Sequence, residues 1–240
     1  MNSTIAMKLQ VYAGAVERLN SKSISDEDLQ RMVDLSVLAF ENARREDGDT
    51  SHDFVFDDDP TIPSLYFRHI IRAGIIEEAV YVVRGQDGDI IGLGLFLKPG
   101  QKAASTEEIK HEIGHYEFLE KVRPETRRWY ENNLHGLLKE REALFTDEER
   151  GRRWWCFHLC TDPGFHGKGL GRKIVDYIHG KAQKNGQFLG LAAGNEVNVG
   201  KYKALGFRLR GRITAPGLRS ENGDEGNGPP HVLYILTRDT

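Results

Sequence analysis

An apolar strand, a glycine-rich turn and an amphipathic helix follow one another between Trp154 and Ala182, and this succession commits the chain to a fold in which a helix returns onto a sheet. Trp154-Trp155-Cys156-Phe157-His158-Leu159-Cys160-Thr161 is a near-continuous apolar run, the pattern of a central strand buried on both faces. Asp162-Pro163-Gly164 ends it. His166-Gly167-Lys168-Gly169-Leu170-Gly171-Arg172 then opens a helix from Leu170 to about Asn185, with Ile174, Val175, Ile178 and Ala182 turned inward. Consecutive backbone N–H groups at a helix start form an anion cradle. Glycines let a phosphate approach without a Cβ in the way, and Arg172 and Lys173 add positive charge. The turn therefore reads as a pyrophosphate site, beside the plainer reading of a tight turn without a ligand.

Two other phosphate motifs fit less well. A P-loop has Gly-x4-Gly-Lys-Ser/Thr, whereas Leu170-Gly171 follow Gly169 here. A dinucleotide fingerprint has its third glycine one residue later and an acid about 20 residues on; Gln187 and Leu191 flank that place.

Upstream, Ser25-Asp26-Glu27-Asp28 resembles a capping box, and Leu29, Met32, Val33, Ser36, Val37 and Phe40 share one helical face. This predicts a helix to about Arg45, an acidic loop through Pro60 and a second helix over 64–76. Strands are expected at 79–84 and 90–97, joined by Gln86-Asp87-Gly88-Asp89. Two helices fit 105–121 and 124–144, the second opened by Pro124; they read as an insertion between sheet strands. Beyond the central helix come a strand at 187–192, a short helix at 195–205, and strands at 207–213 and 231–237, the last two joined by a loop rich in Gly, Pro and Asn. Residues 1–24 form an arm or a first strand.

The chain has 240 residues and a formal net charge of -3, which fits one large domain and argues against a nucleic-acid binder. Its two cysteines, Cys156 and Cys160, lie in one strand, roughly 13 Å apart at ~3.3 Å per residue. A disulfide needs Cα atoms within ~7 Å, so they read as buried thiols of a reducing compartment. No His/Cys cluster has zinc spacing, so no metal is expected. No signal-peptide core and no apolar run of about 18 residues is present, so the expected setting is cytoplasmic, with no membrane span.

With these residues in view the sequence resembles the GNAT superfamily of N-acetyltransferases. His166 to Gly171 is similar to the family's Gln/Arg-x-x-Gly-x-Gly/Ala, with His in the first position. Asn198-Val199-Gly200-Lys201-Tyr202-Lys203-Ala204-Leu205-Gly206-Phe207 is similar to its Asn-x3-Tyr-x3-Gly-Phe signature. The resemblance covers about residues 25–100 and 152–238. It implies an α/β (α+β) fold: a mixed, mostly antiparallel twisted sheet of about six to seven strands flanked by helices, with 101–150 as a helical insertion in a single domain of 1–240.

The resemblance further implies acetyl-CoA as co-substrate, without a metal. The amides of Gly167, Lys168, Gly169, Leu170, Gly171 and Arg172, with His166 beside them, would hold the pyrophosphate. Leu159, Cys160 and Thr161 would line the pantetheine arm, and the Leu159 N–H would polarise the thioester carbonyl. Asn198 would contact the pantetheine or acetyl region, with Asn195 competing for that place. Tyr202 would be the general acid that protonates the leaving thiolate; packing on Phe207 is its alternative role. The family's usual base positions fall at Trp155 and Phe157, which do not ionise. Strand alternation sends His158 to the opposite face, into the core. A water, His111, His115 and Glu41 remain as candidate bases. Asp53, Asp57, Asp58 and Asp59 stand either as a steering patch for an ammonium or as a solvated loop. Trp129, Tyr130, Trp154 and Trp155 stand either as an aromatic wall or as core. The implied acceptor is a small-molecule amine. Protein or peptide N-acetylation and an inactive acyl-CoA binder are the alternatives, in a monomer or homodimer with neither nucleic-acid nor membrane partners.

Overall fold

The computed structural model describes residues 14–22, 24–47, 61–217 and 230–239. Strands β1 (Val16–Arg18), β2 (Val80–Arg84), β3 (Ile90–Leu97), β4 (Arg153–Thr161), β5 (Phe188–Ala193), β6 (Arg208–Ala215) and β7 (His231–Arg238) form one sheet in the order β1-β2-β3-β4-β5-β7-β6. Only the β4–β5 pair is parallel; the others are antiparallel. This is the expected mixed, mostly antiparallel sheet.

Helices α1 (Asp26–Asp47) and α2 (Ile62–Ile76) cover one face of the sheet. Ser25 Oγ accepts the Asp28 N–H at 3.0 Å, so the cap read from sequence is formed. Met32, Val33 and Leu35 pack with Phe67 and Ile71 onto Val80, Val82, Leu93 and Leu95. The alternate residues Tyr81, Val83, Ile91 and Phe96 face the opposite layer, where Ile174, Val175, Ile178 and Ala182 of α7 (Leu170–Gln183) cover them. Period-two alternation thus divides the apolar residues between two cores. Gly92 and Gly94 bring α7 close to β3: a Cβ at Gly94 would lie 2.8 Å from Ile174 Cγ2.

The insertion is helical, as expected, but divided differently. The first predicted helix is broken at Gly114, whose left-handed φ of 80° separates α3 (Glu107–Glu112) from α4 (His115–Lys121). After α5 (Pro124–Ala143), a further short helix, α6 (Asp147–Arg152), is set by a capping box between Thr146 and Glu149 that the sequence reading passed over. Helix α8 (Glu196–Ala204) follows β5.

A buried arginine fastens the insertion to the sheet. The Arg153 side chain is 7% exposed, and its guanidinium lies 4.2 Å from the Phe145 ring centroid and 4.8 Å from that of Trp155. Its Nη2 donates to both carboxylate oxygens of Glu142 at 2.8 Å. Burial pushes the Glu142 carboxyl up, but the hydrogen bond and charge of Arg153, joined by Arg141, hold it below the usual range. A carboxyl depressed in the folded state stabilises the fold above its unfolded pKa, and that stability is lost as pH falls through the folded value. Glu142→Gln is expected to cost about 2 kcal/mol, below the usual cost of breaking a fully buried pair because Glu142 is itself partly exposed. Melting curves should show the gap from wild type narrowing as pH falls below about 4.3, the ordinary glutamate value.

Candidate active site

The site begins with a defect in β4. Leu95 of β3 pairs with His158, yet the next residue, Phe96, pairs with Cys156, so Phe157 is an extra residue in the ladder. Such a bulge bends its strand and increases the local twist. On the other side, β4 and β5 pair only from Arg153/Phe188 to Cys156/Leu191. Past that point β4 continues to Thr161 and β5 to Ala193 without further pairing between them, and a cleft of about 680 Å³ opens.

The backbone parity of β4 beyond the bulge is fixed by Asp162, whose N–H donates to the Ile91 carbonyl at 2.9 Å. Antiparallel hydrogen bonding repeats every second residue. Cys160 and His158 therefore turn their backbone groups toward β3, while Leu159 and Thr161 turn theirs toward the cleft. Leu159 packs its side chain against the α7 layer. The Cys160 thiol goes the other way, 3.7 Å from Ser36 Oγ, and burial pushes it up to about 12. Both cysteines are free and buried.

At the cleft mouth stands the glycine-rich turn. Gly167 and Gly169 have φ of 74° and 77°, in the left-handed region that favours glycine. Gly169 caps α7 with no side-chain hydrogen bond, and the first intrahelical bond runs from Lys173 N–H to Gly169 C=O. The amides of Gly169, Leu170, Gly171 and Arg172 thus precede the helical ladder, at the positive end of the helix dipole. His166, Gly167, Lys168 and Gly169 are exposed, whereas the Leu170 side chain anchors the turn in the core. The Arg172 side chain acts structurally. Its Nη2 donates to the Ala204 carbonyl at 2.5 Å, tying the start of α7 to the end of α8. Asp162 braces the turn by accepting the Gly164 N–H at 2.9 Å and pairing with Arg31 at 3.3 Å.

Helix α8 supplies the facing wall. Asn195, before the helix, and Asn198, within it, are placed differently. Asn195 Oδ1 accepts the Asn198 N–H at 2.7 Å as the helix cap, and Asn198 lines the cleft. Tyr202 lines the cleft too, and it packs edge-on against Phe207 with centroids 5.8 Å apart.

His158 departs from the expectation. Simple alternation sends it away from the face of Phe157, but the bulge resets the register. Phe157 and His158 both meet the α1/α2 layer, with the His158 ring stacked 5.4 Å from Phe40 and tilted against Phe67 at 5.3 Å. It is buried and hydrogen-bonded, as expected of a core histidine, and it also lines the cleft. Its Nε2 lies 2.9 Å from Ser36 Oγ, and that hydroxyl donates to the Met32 carbonyl at 2.8 Å. With the hydroxyl proton committed to Met32, Ser36 is placed to accept the Nε2–H. Ser36 was the missed residue; its signal was a lone hydroxyl in the apolar stripe Met32-Val33-Ser36-Val37-Phe40.

The other candidate bases lie elsewhere. Glu41 is exposed and paired with Arg45 at 3.6 Å, and His111 and His115 pack around Tyr116 in the insertion. Trp129, Trp154 and Trp155 are buried away from this cleft, as core residues. Asp53, Asp57, Asp58 and Asp59 lie outside the described residues. Among the described residues no cluster of His, Cys, Asp or Glu is arranged to hold a metal, and no helix is long and apolar enough to cross a membrane.

The sheet and its helices form the fold of a known class. The sequence model of the Acetyltransferase (GNAT) family matches residues 49–207, and the chain belongs to that family. No curated protein sequence matches it. The fold is similar to that of arylalkylamine N-acetyltransferase 2 from Aedes aegypti, with 18% identity, 95% of this chain and 99% of that one covered, and a TM-score of 0.59. It is also similar to the Drosophila melanogaster polyamine N-acetyltransferase, which forms N-acetylagmatine, with 13% identity, 94% and 99% covered, and a TM-score of 0.60. An agmatine N-acetyltransferase matches at 12% identity, 94% and 99% covered, with a TM-score of 0.59.

Ser36→Ala would leave the buried Nε2–H of His158 without an acceptor, and a buried donor so orphaned costs about 1–3 kcal/mol. Thermal unfolding is expected to register that loss; an unchanged Tm would show that the Ser36–His158 bond does not hold the ring.

Proposed function

We propose that this protein is an acetyl-CoA-dependent N-acetyltransferase that acetylates the primary amine of a small molecule by direct attack. One observation carries the reading. An uncapped helix start bearing consecutive amides opens onto the gap between β4 and β5, and a tyrosine and a histidine line the same gap. When bound, acetyl-CoA supplies an activated thioester.

The residues fit such a ligand. The amides of Gly167 and of Gly169 to Arg172 suit a pyrophosphate at a helix start that no side chain caps, whereas the Lys168 N–H is already donated to the Phe165 carbonyl at 3.2 Å. The backbone groups of Leu159 and Thr161 face the gap left by β5 and suit an amide-bearing arm that pairs like an added strand. In the same role the Leu159 N–H stabilises charge developing on a carbonyl oxygen. Asn198 adds a side-chain amide at the inner end. His158, oriented by Ser36 through Nε2, is the cleft-lining imidazole that takes up the proton of the acceptor amine in this reading. Tyr202, on the opposite wall, donates its phenolic proton to the departing sulfur.

Calorimetric titration should give micromolar binding of acetyl-CoA and none of ATP or NAD. Gly169→Trp is expected to abolish that binding, because it places a bulky side chain in the amide cradle at a left-handed backbone position. An affinity unchanged by this substitution would remove the cradle from the mechanism. Tyr202→Phe and His158→Gln should each lower kcat about 10²-fold or more, in line with general acid–base contributions, while acetyl-CoA affinity stays near wild type. A kcat that survives either change would strip that residue of its role.

A further inference from the structure

The glycine-rich turn hangs from Asp162. The Asp162 carbonyl accepts the Phe165 N–H at 2.9 Å, and the Phe165 carbonyl accepts the Lys168 N–H at 3.2 Å. Two successive main-chain bonds thus carry the chain from Asp162 to the residue before the Gly169 cap. Asp162 also caps the short helical turn Pro163–Phe165, where its Oδ1 accepts the Gly164 N–H at 2.9 Å. Its own N–H is fixed to the Ile91 carbonyl of β3. The second carboxylate oxygen, Oδ2, is held from the helical layer: Arg31 of α1 donates to it from Nη2 at 3.3 Å. Arg31 approaches Asp89 as well, at 3.9 Å, but the Asp89 side chain is 60% exposed against 17% for Asp162. The shorter and more buried pair is less screened, so it dominates.

The pair answers an electrostatic problem. A carboxylate fixed at the root of an anion cradle repels the diphosphate that enters it. A guanidinium beside that carboxylate offsets its charge and fixes its direction, so the group can cap the turn without opposing the ligand. Among the described residues lining the cleft Arg31 is not present, so it acts through Asp162. Resting on the acetyl-CoA reading above, we infer that Arg31 is a positioning residue for the donor: through its ion pair with Asp162 it orients the amides of Gly167 and of Gly169 to Arg172 and keeps their surround favourable to a pyrophosphate.

The test titrates acetyl-CoA by calorimetry into the full-length protein and into Arg31→Gln, Arg31→Lys, Asp162→Asn and the Arg31→Gln/Asp162→Asn double variant, with circular dichroism to check that each is folded. Arg31→Gln is expected to raise Kd about ten-fold or more, the scale of a lost charge-assisted hydrogen bond. Arg31→Lys, which returns the charge, should bring Kd back to within about three-fold of wild type. Asp162→Asn keeps an oxygen for the Gly164 N–H and removes the partner charge. In that background Arg31→Gln should change Kd by less than about two-fold, since the two residues act as one unit. Should Arg31→Gln not fold, Arg31→Met, which keeps an apolar stem, takes its place with the same limits. A Kd for the uncharged variant close to wild type, a loss that Arg31→Lys does not recover, or an undiminished loss in the Asp162→Asn background would overturn the inference. Failure of the wild-type protein to bind acetyl-CoA would instead overturn the acetyltransferase reading, so the two failures are separable.

Discussion

The structure turns on how briefly β4 and β5 are paired. Two parallel strands side by side in a sheet would normally satisfy each other's amides along their shared length. Here they do so only from Arg153 to Cys156, after which the bulge at Phe157 turns β4 aside. The remaining backbone of β4 is held from its other edge by β3, so Leu159 and Thr161 keep groups directed into the gap. The cleft, the side chains that line it and the placement of the glycine turn at its mouth all follow from that separation.

Much of the fold was legible because its signals are local. The β3 run of apolar residues, the Ser25 cap, the amphipathic face of α7 and the Asn198 to Phe207 signature each declare an element within a few residues. The glycine turn was legible for the same reason: its left-handed positions at Gly167 and Gly169 favour glycine, and its place before an amphipathic helix is visible in the chain. The break at Gly114 was missed since a single glycine inside a helical pattern does not announce a left-handed backbone.

The side of the cleft lined by α1 and α2 was less legible, and the cause is register. The bulge at Phe157 depends on how β4 meets β3, a long-range pairing with no signature in the strand itself. Without it, alternation assigns His158 to the wrong face. Ser36 lies more than a hundred residues away from His158, and nothing in either segment points to the other. Asn195 and Asn198 were likewise separated only by the cap geometry. Residues that act through backbone conformation were readable, whereas those that act through contacts between distant elements needed the folded chain.

Gly92 and Gly94 give the sheet a bare strip on which α7 rests, with Ile174 seated where side chains would otherwise stand. The start of that helix is thereby seated close against β3, and the groups it presents toward the cleft mouth are main-chain amides. That part of the cleft is therefore chemically indifferent to most substitutions around it, while the wall formed by α1 and α2 presents side chains. Substitutions at Phe40, Tyr66, Phe67 or Ile70 would reshape that wall and leave the main-chain amides of the glycine turn in place.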